Sequence, residues 1–206
     1  MIAPRPSLLR FSAVLVAPEA AIASIAANPP SGARAFFGAA VWLGLLPPLF
    51  AAIGTLTFGW RLGVEPLFLP AGTVVAIGVA YFVLLLFGFL STAVVARWMA
   101  STYDADTSWS RSFALVTLVG APLAIGSVVH LYPNAFVNVL VLVLVPTLIW
   151  SMYLLYRGLP AVLKTDPGRG MLMASSLIAY LLVSWVTLLG ITAVLWSRGV
   201  GPHVAT

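Results

Sequence analysis

The apolar positions of this chain do not alternate with polar ones; they form long unbroken runs. Residues 112–156 contain no Asp, Glu, Lys or Arg. As one helix that segment would measure about 67 Å at 1.5 Å per residue, roughly twice the ~30 Å hydrocarbon core of a bilayer. It must therefore fold back, and Tyr132-Pro133-Asn134 near its midpoint carries turn chemistry. Three further uncharged windows, 35–60, 66–96 and 170–197, are each long enough to cross a membrane once. None has the polar face that a helix of a soluble bundle needs. The pattern predicts an all-α integral membrane protein with five transmembrane helices at about 35–58, 71–98, 112–131, 135–156 and 171–196. Residues 1–34 are then an N-terminal interfacial or cytoplasmic segment, and 198–206 a C-terminal tail.

Finer punctuation is legible inside this frame. Arg5 and Arg10 precede the short apolar run 11–17, and Ala21-Ile22-Ala23 imitates a small-x-small cleavage site. Pro18 and Glu19 interrupt that run, so we read a retained segment rather than a signal peptide. Leu8, Phe11 and Leu15 follow helical spacing, with Arg10 available for headgroups. Pro18 and Glu19 suit the first turn of a second short helix, which Asn28-Pro29-Pro30-Ser31-Gly32 ends. Trp60 and Arg61 close the first span at an interface. Pro47, Pro48, Pro122 and Pro146 lie inside spans and predict kinks, above all in the third and fourth helices. Gly72, Ala76 and Ala80 offer a smooth face for close helix approach. Gly158 fits the residue after a helix end, and Pro160 stops continuation of the fourth span.

Composition agrees: 62% of residues are hydrophobic and 7% charged, with a mean hydropathy of +1.09, whereas a soluble domain carries roughly 25% charged residues. The net charge of +5 comes from basic residues scattered singly through loops, which is a topology signal and not a nucleic-acid footprint. Eight of them (Arg5, Arg10, Arg34, Arg97, Arg111, Arg157, Lys164 and Arg169) fall on one side of the five-span arrangement, and only Arg61 and Arg198 on the other. This predicts a cytoplasmic N-terminus and a C-terminus on the opposite side. The absence of cysteine excludes disulfides, thiolate metal sites, Cys nucleophiles and Cys-linked lipid anchors.

Candidate chemistry is sparse. No span interior holds an ionisable group of the kind that ion or proton transport uses. His130 stands at the end of the third span, where Asn134 and Asn138 could form a polar cluster with it. Asp104 and Asp106 share a loop with no third ligand, and read as solvated or capping groups rather than a metal site. No catalytic triad, His-rich metal pattern or phosphate-cradling glycine loop is present. Ser175, Ser176, Ser184 and Thr187 on the fifth helix read as partners for backbone or neighbouring helices. We expect no enzymatic activity, no catalytic residues and no cofactor or metal.

The segment Tyr153-Leu154-Leu155-Tyr156-Arg157-Gly158-Leu159-Pro160 with Lys164, preceded by Ser112-Phe113-Ala114-Leu115, Ala121-Pro122 and Leu131-Tyr132-Pro133, resembles the Yip family of Ypt/Rab-interacting membrane proteins, in particular its bacterial inner-membrane branch. Pro18-Glu19 followed by Asn28-Pro29 is similar to the family's approach to its first span. The resemblance implies five transmembrane helices, a cytoplasmic N-terminus and work done by association. In eukaryotic members the partners are small GTPases and one another. On this reading only about 34 residues precede the first span, where the resemblance implies a long cytoplasmic domain, and the loop after the second span departs from the Gly-rich form it implies. The leading expectation is a non-enzymatic accessory or scaffold subunit, or an organiser of the membrane, whose partners are membrane lipids and a membrane protein or a second copy. A small channel or transporter for an uncharged or lipid-like substrate is the alternative. The candidate contact residues are Tyr153, Tyr156, Arg157, Gly158 and Pro160: two tyrosines three apart on a helix boundary, with a cation for anionic headgroups or a partner.

Overall fold

The computed structural model of the chain has five helices long and apolar enough to cross a membrane, at Gly32–Phe58, Ala71–Ala100, Trp109–Leu131, Leu142–Leu163 and Pro167–Ile191. The structure describes residues 11–59, 66, 68–132 and 136–197, and no strand occurs among them. Arg5, Leu8, Arg10, Trp60, Arg61, Glu65, the Pro133-Asn134 pair and the C-terminal tail lie outside the described residues.

Two short helices, α1 (Phe11–Val16) and α2 (Pro18–Ala27), precede the spans. Helix α3 (Gly32–Ala35) passes through a π-helical turn at Phe36–Ala40 into α4 (Val41–Phe58). Then come α5 (Ala71–Ala100), α6 (Trp109–Gly126, tightened into a 3₁₀ turn at Ser127–Leu131), α7 (Phe136–Leu163) and α8 (Pro167–Ser197). Helix α6 is the centre of the bundle and packs on α4, α5 and α7, and also on α1, α2 and α3. Helix α8 packs outside it, against α7 and α5.

The predicted fold-back is an antiparallel α6–α7 pair. A Cβ built on Gly158 would lie 3.0 Å from Leu115, one on Gly126 would lie 2.7 Å from Thr147, and Arg111 reaches Val162. Positions rise along α6 as they fall along α7. At the far end, α4 leans on the 3₁₀ turn so closely that a Cβ on Gly54 would sit 2.2 Å from the His130 carbonyl oxygen. Only glycine permits that backbone approach.

Helix boundaries show where sequence punctuation is overridden. Gly59 ends α4 at φ 70°, in the left-handed region that favours glycine. The chain leaves α7 and the turn that follows α5 through non-glycines in that region, Lys164 (φ 53°) and Asp104 (φ 56°). The closing bonds are Ala105 N–H to the Ala100 carbonyl at 2.8 Å and Thr165 N–H to the Pro160 carbonyl at 3.2 Å. The expected stop of the fourth span at residue 156 is therefore corrected: α7 continues through Gly158 and Pro160 to Leu163. A proline inside a helix forfeits one amide, here the one that would serve Tyr156, and tertiary packing over-rides that loss. Helix α8 starts at Pro167, ahead of the expected Met171, with Asp166 accepting the Gly168 N–H at 2.9 Å.

Pro47 and Pro48 in α4, Pro122 in α6 and Pro146 in α7 all lie within continuous helix. The small-residue face of α5 points away from the bundle: a Cβ on Gly72 would meet nothing within 4 Å, and Ala76 and Ala80 are exposed. Helix α4 approaches α5 elsewhere, through Gly44 against Leu86 and Phe82.

Candidate functional site

Asp104, Asp106 and Asp166, with Arg111, Lys164 and Arg169, gather at the end of the bundle where α2 ends, α6 and α8 begin and α7 finishes, and Glu19 pairs with Arg157 about two turns further in. Helix α2 begins as its sequence dictates, with Pro18 in its first turn and Glu19 beside the amide-rich terminus, and ends at Asn28. The contacts of α1 and α2 with α7 advance in one direction. The Trp150 indole N–H donates to the Val14 carbonyl at 3.0 Å. Glu19 meets Tyr153 and Arg157, and Ile22 lies against Gly158. Ala26 and Val162 share Arg111. Helix α2 therefore runs parallel to the last half of α7, pressed into the groove between α7 and α6.

One oxygen of Glu19 collects three donors: the Tyr153 hydroxyl at 2.8 Å, and Nε and Nη2 of Arg157 at 3.2 and 3.0 Å. Hydrogen bonds from Tyr153 first, and from Arg157 second, hold this carboxyl below the ordinary carboxylate range. The group lies in the open, so the effect on stability is small and salt-sensitive.

Arg111 is different in kind. It is 8% exposed, one turn into α6. Its Nη1 donates to the Ala26 carbonyl at 3.0 Å and the Val162 carbonyl at 2.9 Å, and its Nε pairs with Asp106 at 3.1 Å. Ala26 and Val162 stand at the C-terminal ends of α2 and α7, where carbonyls lack intrahelical donors and the helix dipole is negative. A cation there satisfies both ends at once. Asp106 also accepts the Ser108 N–H at 2.8 Å, and its own N–H donates to the Leu163 carbonyl at 2.6 Å. The loop around Asp106 is thus pinned to the end of α7.

A second set of bonds ties α8 to the same end. Tyr103 pairs through its hydroxyl with Ser176 at 2.7 Å, and its carbonyl accepts from Thr165 at 2.8 Å. Arg169 pairs with Asp104. Tyr156 pairs with Ser175 at 3.0 Å, and a Cβ on Gly170 would touch Pro160 at 2.9 Å. Ser184 and Thr187 donate back to the Tyr180 and Val183 carbonyls of their own helix.

The candidate contact residues thus divide between two neighbours. Tyr153, Arg157 and Gly158 face α2, whereas Tyr156 and Pro160 face α8. The shared face expected for the two tyrosines is corrected in this respect: three residues turn a helix about 300°, leaving the rings about 60° apart, enough to meet different helices. Sequence reasoning treated Arg111 only as a topology charge. The signal for its role was its position inside the helix start, five residues after Asp106, too deep for a free loop cation. His130 bonds through Nδ1 with the Ser127 carbonyl at 2.8 Å; Asn134 and the side chain of Asn138 lie outside what is described. No group of three or more metal-ligating side chains occurs among the described residues.

The architecture is that of a polytopic all-helical membrane protein with its polar groups clasped at one end. The chain matches the Yip1 domain family over residues 12–188 and belongs to it. It is 30% identical over 155 residues to the inner membrane protein YohC of Escherichia coli K12, covering 75% of this chain and 78% of that protein. YohC of Escherichia coli O6:H1 matches to the same extent. No solved structure matches.

Proposed function

We propose that this protein is a non-enzymatic accessory or scaffold subunit of a bacterial inner membrane, or an organiser of that membrane, working through protein and lipid contacts. The observation that carries the reading is the use made of its acids. All four described carboxylates hold structure: Glu19, Asp104 and Asp106 pair with arginines, and Asp166 caps α8. None is held ready for acid–base work. The family membership and the resemblance to an inner membrane protein support the location, and the basic residues support a cytoplasmic N-terminus and charged end. The prolines at 47, 48, 122 and 146 serve as bends that let neighbouring helices interlock.

The crevice between α4 and α5, lined by residues such as Pro48, Thr55, Val74 and Tyr81, holds about 60 Å³ and does not favour the transport alternative. Purification from native membranes in lipid nanodiscs tests the proposal. A membrane protein or a second copy should be recovered with the chain at a fixed ratio. Recovery of the chain alone, with flux of uncharged solutes through reconstituted vesicles, would overturn it. An impermeant maleimide should leave Lys164→Cys unlabelled in intact cells.

A further inference from the structure

Helix α2 is held differently from every other helix at the charged end. Ten residues long, it would measure about 15 Å and is too short to be fixed by spanning a bilayer. Its seat depends on the groove and on α1 before it, whose Val14 is buried and accepts the Trp150 N–H, so the two short helices move as one strap. Helix α2 presses Ile22 and Ile25 into that groove and leaves Ala20, Ala23, Ser24 and Ala27 outside.

The bonds that hold it can be given up without orphaning a buried charge. Arg111 keeps Val162 and Asp106 when the Ala26 carbonyl leaves. Glu19 and Arg157 are both exposed, with side chains 59% and 62% accessible, and rehydrate freely. The joint to the bundle is also independent on each side. Asn28 N–H closes α2 on Ser24, and the Ser31 hydroxyl caps α3 through the Arg34 N–H. Between these two closures lie Pro29 and Pro30, which have no amide to give. Helix α2 can swing about residues 28–31 without unwinding itself or the first span.

The groove it would leave is selective. Arg157 and Tyr153 call for a carboxylate, and the shallow floor at Gly158 admits a branched aliphatic side chain three residues later, with another three beyond. That is the pattern Glu19, Ile22, Ile25. We propose that the groove between α6 and α7 is an exchange site, taking α2 either from its own chain or from a second copy, so that two copies associate by trading this strap. The proposal rests on the association reading above and supplies a surface for it.

Charge reversal on both sides tests this. In one chain Glu19→Arg repels its own strap from Arg157; in another Arg157→Glu repels its own Glu19. Differently tagged and co-expressed, the two variants are complementary only in trans. Their recovery together should exceed self-recovery of either variant severalfold, and more so at low salt. The single chain carrying both changes should behave as the unmodified protein. A thiol at Ala21→Cys, half-buried against the core when α2 is seated, should react with a charged maleimide severalfold faster in either reversal alone. Equal recovery of like and unlike variants, or unchanged protection of position 21, would overturn the proposal. A fixed-ratio partner recovered from native membranes despite that result would leave the association reading standing and remove only the exchange site.

Discussion

Helices α5 and α6 both span, and both begin or end beside an arginine, yet they occupy opposite environments. The most apolar window of α6 is 67% buried in the protein; that of α5, which is more apolar, is 6% buried. In water the more apolar helix would be the inner one. In a bilayer, lipid tails are as apolar as leucine, so hydropathy does not rank helices by burial. What differs is where the small and polar residues point: Gly72, Ala76 and Ala80 of α5 face outward. Helix α6 carries Ser112, Ala114, Thr117, Ala121, Ala124 and Gly126, all buried, whereas exposed Val75, Ile77, Val83, Leu84 and Phe87 crowd α5.

The arginines provide the largest test of this difference. Arg111→Met leaves Asp106 without its cation and two helix ends without their donor, and should cost ~3–5 kcal/mol. Arg97→Met on α5 removes an exposed charge and should stay within about 0.5 kcal/mol. Thermal unfolding in mild detergent compares the two; equal losses would break the distinction. Next comes side-chain volume. Gly126→Leu must push against Thr147, 2.7 Å from the new Cβ position, with a cost of about 1–3 kcal/mol for overpacking. Ala76→Leu, facing outward on α5, should be silent in the same assay. If Ala76→Leu unfolds the protein or splits an oligomer, α5 is covered by something other than lipid.

The smallest effect concerns polar contacts in the open rather than in the centre. The Glu19 carboxyl is held low by Tyr153 and Arg157, so the unfolded or released segment binds the proton more tightly than the seated one. Its contribution is complete above the ordinary carboxylate range and is lost as pH falls through the lowered value. Acidification from neutral to below that range should modestly raise the reactivity of Ala21→Cys toward 4,4′-dithiodipyridine, a disulfide that still reacts in acid, and Glu19→Gln should show the same modest rise at neutral pH with no further pH dependence. A pH response that persists in Glu19→Gln would place the sensor elsewhere.

The five spans were legible because charge-free length is a one-dimensional property, and bilayer thickness converts it directly into structure. The short α2 was legible for a related reason: Pro18, Glu19 and Asn28-Pro29-Pro30 are local signals. The end of α7 was not. Gly158 and Pro160 carry the chemistry of a helix stop, but Gly158 is buried against Leu115 and Ile22, and the true stop is Lys164. Nothing local marks a glycine as a packing contact rather than a cap. The residues around Tyr153 were singled out for a partner or for lipid, whereas in the structure they meet α2 and α8 of the same chain. That Tyr153 meets Glu19 and Tyr156 meets Ser175 follows from where α2 and α8 lie, information distributed over more than a hundred residues of chain.

The ligation of Arg111 also imposes an order in time. Its partners are supplied by residues 26, 106 and 162, so two precede it during synthesis and one follows by a whole helical hairpin. When α6 first enters the bilayer, the guanidinium has α2 and Asp106 within reach but not the end of α7. Helix α6 can be inserted early but not finished early. Its final seat waits until Val162 has left the ribosome, which makes the fourth span the step that completes the third.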